Sequence, residues 1–151
     1  MNINVNENQT YPKEFLADID GAFIMFEFTS RMSYKNTPNY YQQLIREIEN
    51  LPLCLVGNKA DIRDLKVKLK HVLFHLRKNI PFFMISVKTQ MNILDPIVNL
   101  LQKVHSANEA IISTPKLIEP EASMDPEVQG LRGKEWAEHV AVARLPDDED
   151  L

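Results

Sequence analysis

Three short apolar runs, separated by stretches of helical period, set the organisation of this chain. Residues 22–28, AFIMFEF, are almost continuously apolar, which predicts a strand buried on both faces. After the turn-like TSRMSYKNTPN, Tyr41, Leu44, Ile45 and Ile48 recur at helical spacing behind Pro38, a residue suited to a first helical turn. Leu51 to Val56 predicts a second strand. The basic segment KVKLKHVLFHLRKN predicts a helix with Val67, Leu69, Val72, Leu73 and Leu76 facing inward and His75 on its flank. PFFMIS predicts a third strand, and Asn92 is placed to cap a helix whose face is Leu94, Ile97, Val98, Leu101 and Val104.

Strands alternating with helices imply an α/β fold with a parallel sheet, whose ligands bind beyond the carboxyl ends of the strands. Residues 1–20 lack a period and read as an irregular lead-in to an α/β unit over 21–105. Residues 106–151 turn Pro-rich and acidic: a linker, a helix predicted to start at Asp125-Pro126, and the tail LPDDEDL. Gly130 and Gly133 fall inside that helix and weaken it, each by about 1 kcal/mol relative to Ala.

Composition narrows the class. A chain of 151 residues with 44% hydrophobic and 25% charged side chains suits one globular domain. Its lone cysteine, Cys54, lies in an apolar run, so a disulfide framework is excluded and a reducing compartment is expected. No apolar stretch approaches the roughly 20 residues of a membrane span, and MNINVNENQT does not read as a signal sequence. A soluble intracellular protein is the expectation. The net charge of −4 hides a division: residues 59–78 carry seven Lys/Arg against two Asp, and residues 119–151 carry ten Asp/Glu against three Lys/Arg. The tail can therefore lie on its own domain's basic face or give way to an acidic partner. Nucleic acid is not expected, because the basic cluster lacks interleaved aromatics.

The candidate chemistry lies where strands end. LPLCLVGNKADIRD, residues 51–64, is an apolar strand running into Asn58-Lys59-Ala60-Asp61. Guanine presents N1–H beside an exocyclic amine, and one carboxylate, Asp61, can accept both; adenine would leave it partly unpaired. Asn58 can bind the purine edge, and the stem of Lys59 can lie across the base. About 25 residues on, Ser86-Val87-Lys88 closes the third strand, placed to offer a backbone N–H to guanine O6 and a second lysine stem. The alternative is that Asn58 and Asp61 only cap a turn.

The phosphate half of such a site is missing from these residues. Gly21, Gly57, Gly130 and Gly133 are the only glycines, and none spaces a GxxxxGK[ST] loop. Asp18-Ile-Asp-Gly21 has an Asp-x-x-Gly spacing but precedes a strand instead of following one. The four histidines, His71, His75, His105 and His139, show no metal-ligand spacing, so no metal site and no catalytic residue are predicted.

The combination of FTSRMSYKNTPNY, GNKADIRDLKVKLK, FHLRKN, MDPE and LPDDEDL resembles the Ran-type small GTPases, the nuclear-transport branch of the Ras-like superfamily, over residues 13–151. The resemblance implies the C-terminal half of a P-loop small-GTPase fold. It implies GTP or GDP as ligand, with Mg²⁺ in the family but its ligands without counterpart here. Asn58, Lys59 and Asp61 match the base-specificity motif, and Ser86, Val87 and Lys88 match the second base motif, with Val87 where Ala is usual. Lys66, Lys68, Arg77 and Lys78 match a basic region that meets importin- and exportin-type karyopherins; other Ran-binding proteins are further expected partners. MDPE through LPDDEDL matches a tail that packs or releases with nucleotide state, and the chain lacks a lipid-modified terminal cysteine. Residence in nucleus and cytoplasm, without a membrane anchor, is implied. Without the phosphate loop, switches and catalytic Gln, the chain reads as a truncated or divergent copy expected to lack GTP hydrolysis alone. It would leave a bare edge beside AFIMFEF. A karyopherin-binding module without nucleotide, or a fragment without function, is the alternative.

Overall fold

The computed structural model describes residues 12–105 and 118–143. Its centre is a three-stranded parallel sheet in the order β1-β2-β3, formed by Ala22–Glu27, Leu53–Asn58 and Phe82–Met84. Ala22 to Glu27 pairs in register with Leu53 to Asn58, and Leu55, Val56 and Gly57 pair with Phe82, Phe83 and Met84. The parallel α/β expectation is met. Register also puts Asn58 and the residues after Met84 at one edge.

Helices follow each strand. Helix α1 is Lys13–Leu16; Leu16 is buried in the core, so the segment read as an irregular lead-in contains an ordered turn. Residues 1–11 lie outside the described residues. Helix α2, Arg31–Lys35, starts at Ser30, whose hydroxyl accepts the Ser33 N–H at 3.2 Å. Helix α3, Thr37–Glu47, has Pro38 in its first turn and buries Leu44, whereas Ile45 faces solvent. Helix α4 is only Phe74–Lys78, ended by the left-handed Asn79 at φ 51°. Helix α5 is Leu94–His105 and α6 is Pro126–Ala143.

Several expectations are corrected here. β1 is buried on one face only: Ile24 and Phe26 enter the core, but Phe23 and Met25 are exposed, because α5 packs on β2 and β3 and leaves that side of β1 open. Residues 66–68, expected to be helical, are not. Leu65, Val67 and Leu69 are buried while Lys66 and Lys68 face out, a period of two. The extended run is anchored by the Phe28 carbonyl, which accepts both the Lys66 and Val67 N–H groups at 2.8 and 2.9 Å. A single 3₁₀ turn, Leu69–His71, precedes α4, and Leu76 is exposed. Asn92 does not cap α5; at φ 54° it donates from its side chain to the Met84 carbonyl at 3.2 Å. Ile97 is exposed on α5.

The core joins Ile24, Phe26, Phe28, Leu44, Leu53, Leu55, Val72 and Phe82 on one side of the sheet. On the other side the Cys54 thiol lies 3.4 Å from Asn99 Oδ1 of α5, and burial pushes that thiol's pKa up despite Lys103. Helix α6 docks on the first side in spite of its glycines. Its inward stripe is Val128, Arg132, Trp136 and His139, at helical spacing, with the Trp136 ring 5.7 Å from that of Phe82. The acidic terminal LPDDEDL expected from the sequence lies outside the described residues.

Candidate functional site

β2 delivers Asn58 to the carboxyl edge of the sheet, and the backbone then turns sharply, with Lys59 in the left-handed region at φ 66°. That conformation disfavours a lysine by about 1–2 kcal/mol. The turn is held from three sides. Asn58 Oδ1 accepts the Lys59 N–H at 2.7 Å and the Val87 N–H at 3.1 Å, so one side chain ties the two strand ends together. The Lys59 ammonium pairs with Glu27 at the end of β1. The Ala60 N–H donates to the Ile85 carbonyl at 3.1 Å.

Beneath this turn Ser86 is fully buried. Its hydroxyl donates to Asp61 Oδ1 at 2.7 Å and accepts the Thr89 N–H at 3.2 Å, while its own N–H reaches the Met91 carbonyl at 3.1 Å. Asp61 therefore keeps one oxygen braced and the other available. Asn58, Lys59, Asp61, Val87 and Lys88 line a single open cavity of about 490 Å³, together with Thr29, Ile62 and Glu121. That volume lies in the range of roughly 300–1,000 Å³ usual for small-ligand sites. Two segments 25 residues apart in sequence thus build one concave, mixed-charge pocket that can take a planar polar ring. Matched to the sequence profiles of known protein families, the chain fits that of the Ras family over residues 6–106, about two thirds of its length.

The chain belongs to the Ras family. Membership in this Ras-family fold implies guanine-nucleotide binding, and the residues singled out from sequence are those that line or brace the pocket at the sheet's carboxyl edge.

The remaining predicted residues are placed elsewhere. Lys66 and Lys68 stand exposed on the extended run after the pocket, and Arg77 and Lys78 stand exposed on α4. The Lys78 ammonium sits 5.4 Å over the Tyr41 ring. Lys68 and Lys70 line a groove whose other wall is Glu135, Glu138 and His139 of α6, so acidic groups of the C-terminal segment do lie along the basic face. Among the described residues, no three His, Cys, Asp or Glu side chains are grouped to hold a metal ion. Asp18 and Asp20 are exposed ahead of β1.

Sequence reading missed two clusters. Arg132 of α6 is only 2% exposed, and its guanidinium donates to the carbonyls of Ala60, Ile62 and Arg63 and to Glu135. The signal was available as Val128, Arg132 and Trp136 at four-residue spacing. His75 does not lie on a helix flank; it is buried against His139, and its pKa is pushed down to about 4 by desolvation first and by His139 second. Burial also lowers the pKa of His139.

Proposed function

We propose that this Ras-family chain is a Ran-type protein of nucleocytoplasmic transport that selects guanine through Asp61. The observation that carries the base assignment is the Ser86–Asp61 hydrogen bond, which fixes a carboxylate beside Asn58, Lys59, Val87 and Lys88 in one pocket. A braced, ionised carboxylate discriminates because a base without paired donors leaves it unsatisfied. Lys59 and Lys88 supply stems for the faces of the ring, and a backbone N–H of Ser86–Lys88 supplies the donor for O6.

The chemistry present fits the base and not the phosphates. These residues contain no glycine-rich phosphate loop, and no described acidic or histidine cluster suits Mg²⁺, so no hydrolytic step is assigned. The transport role is supported by sequence resemblance and by the exposed Lys66, Lys68, Arg77 and Lys78, which fit an acidic protein surface of karyopherin type and a shuttling life between nucleus and cytoplasm.

Titration calorimetry with GDP and ADP tests the base reading. GDP is expected to bind and ADP not, with Asp61→Ala removing the difference; equal binding of both sinks it. Capture by an importin-type receptor, lost when Lys66, Lys68, Arg77 and Lys78 become Glu, tests the partner reading. Capture indifferent to both GTP and these reversals would leave the transport assignment without support. Capture indifferent to GTP but sensitive to the reversals would favour a module that works without nucleotide.

A further inference from the structure

We propose that Arg132 is a positioning residue for Asp61, so that docking of α6 and recognition of the guanine base form one coupled equilibrium. This deepens the guanine-site reading above and rests on it.

Arg132 lies on the docking face of α6, and its bonds are concentrated on the loop that carries Asp61. Nε donates to the Ala60 carbonyl at 2.9 Å, and one terminal nitrogen donates to the Ile62 carbonyl at 2.5 Å and the Arg63 carbonyl at 2.9 Å. The carbonyls immediately before and after Asp61 are thus gripped by one planar group. The other terminal nitrogen meets Glu135 at 2.6 Å, which neutralises the buried charge within α6 itself. Arg63 adds a surface ion pair to Glu127, also on α6. On its far side the same loop is held by the Ser86 hydroxyl on the Asp61 carboxylate.

A guanidinium can serve three carbonyls in one plane because its donors form a rigid fork. Lysine has a point charge and no fork. Without α6 the three carbonyls lose this partner, and the loop keeps only the Ser86–Asp61 bond and the ties of Lys59 and Ala60 on its N-terminal side. A carboxylate that must meet two adjacent donors of one base edge is sensitive to such loosening, since small misplacement spoils a paired contact. Linkage makes the effect reciprocal: whatever factor docking adds to base affinity, bound base adds to docking.

The full-length chain tests this with two fluorescent diphosphates, GDP and IDP; the hypoxanthine of IDP lacks the exocyclic amine that Asp61 would accept. Wild type is expected to prefer GDP. Arg132→Gln is expected to reduce the GDP:IDP affinity ratio by about tenfold, Arg132→Lys to restore part of it, and the exposed Lys134→Ala to leave it unchanged. General loosening of the fold lowers both affinities together and does not move the ratio. In the same samples, GDP is expected to slow hydrogen exchange of α6 amides in wild type but not in Arg132→Gln. A folded Arg132→Gln with the wild-type ratio overturns the proposal, and if that variant does not fold, a wild-type ratio in Arg132→Lys does so. Wild type that binds GDP and IDP alike, or neither, overturns the guanine-site reading itself and this inference with it.

Discussion

The Nε2 atoms of His75 and His139 face each other at 3.2 Å, one from α4 and one from α6, with both rings buried beside Phe82. One nitrogen must donate and the other accept, so the contact is made by neutral or singly protonated rings and opposed when both are charged.

Docking of α6 is therefore expected to depend on pH. In the docked state His75 titrates near 4 and His139 below its ordinary value; release of α6 removes part of the burial and, for His75, the facing His139, which moves both rings back toward 6.5. The released state binds more protons below that value, so docking is complete above about pH 6.5 and weakens as pH falls from there toward 4. Between pH 7.5 and 5.5 the docking constant is expected to drop by at most roughly tenfold on account of His75. Lys68, Lys70, Glu135 and Glu138 flank the adjoining groove and add a salt-dependent background. Trp136 is the only tryptophan, so its emission reports docking directly. The double variant His75→Phe with His139→Phe is expected to flatten the profile; a flat wild-type profile would dismiss a role for the His75–His139 contact in docking.

Ser86→Ala is expected to destabilise the fold by about 1–3 kcal/mol, because the Asp61 carboxylate and the part-buried Thr89 N–H lose the same partner. Urea unfolding measures the loss. GDP affinity is expected to fall as well, although the replaced side chain lies beneath the pocket.

Gly57 tests the packing under the site. A Cβ added there would meet the Phe28 ring at 2.7 Å and the Phe26 ring at 2.8 Å. Both rings are buried, so Gly57→Ala is expected to cost about 1–3 kcal/mol through overpacking. A chemical denaturation midpoint equal to that of wild type would show that the rings can shift freely.

The two glycines of α6 behave oppositely. No neighbouring atom lies within 4 Å of a Cβ at Gly130 or Gly133, so alanine at each is expected to stabilise the helix by about 1 kcal/mol. Docking read by Trp136 emission should persist to higher urea in the double alanine variant.

The parallel sheet and the pocket were legible because apolar runs and strand-end motifs are local signals. Asn58 ends its strand, Asp61 and Ser86 come within three residues of theirs, and register does the rest. The open side of β1 was not legible, since whether Phe23 is covered depends on α5, far along the chain. The segment from Lys66 misled because Val67, Leu69, Val72, Leu73 and Leu76 can be read as one helical face, whereas the Phe28 carbonyl ties down the Lys66 and Val67 N–H groups and regular helix is confined to Phe74–Lys78. Helix α6 hid its docking face by building it partly from Arg132 and His139, whose acceptability in a core depends on distant partners.

Asn58 Oδ1 occupies a donor at the mouth of the pocket. It accepts the Val87 N–H, the kind of bond a purine keto oxygen would claim in the proposed complex. On the proposed base reading the amide oxygen would serve as a placeholder: an arriving base would exchange one acceptor for another at the same donor, and on departure the side chain would reclaim it. Exchange of the base at this edge would then be a substitution in which the donor goes only briefly without a partner.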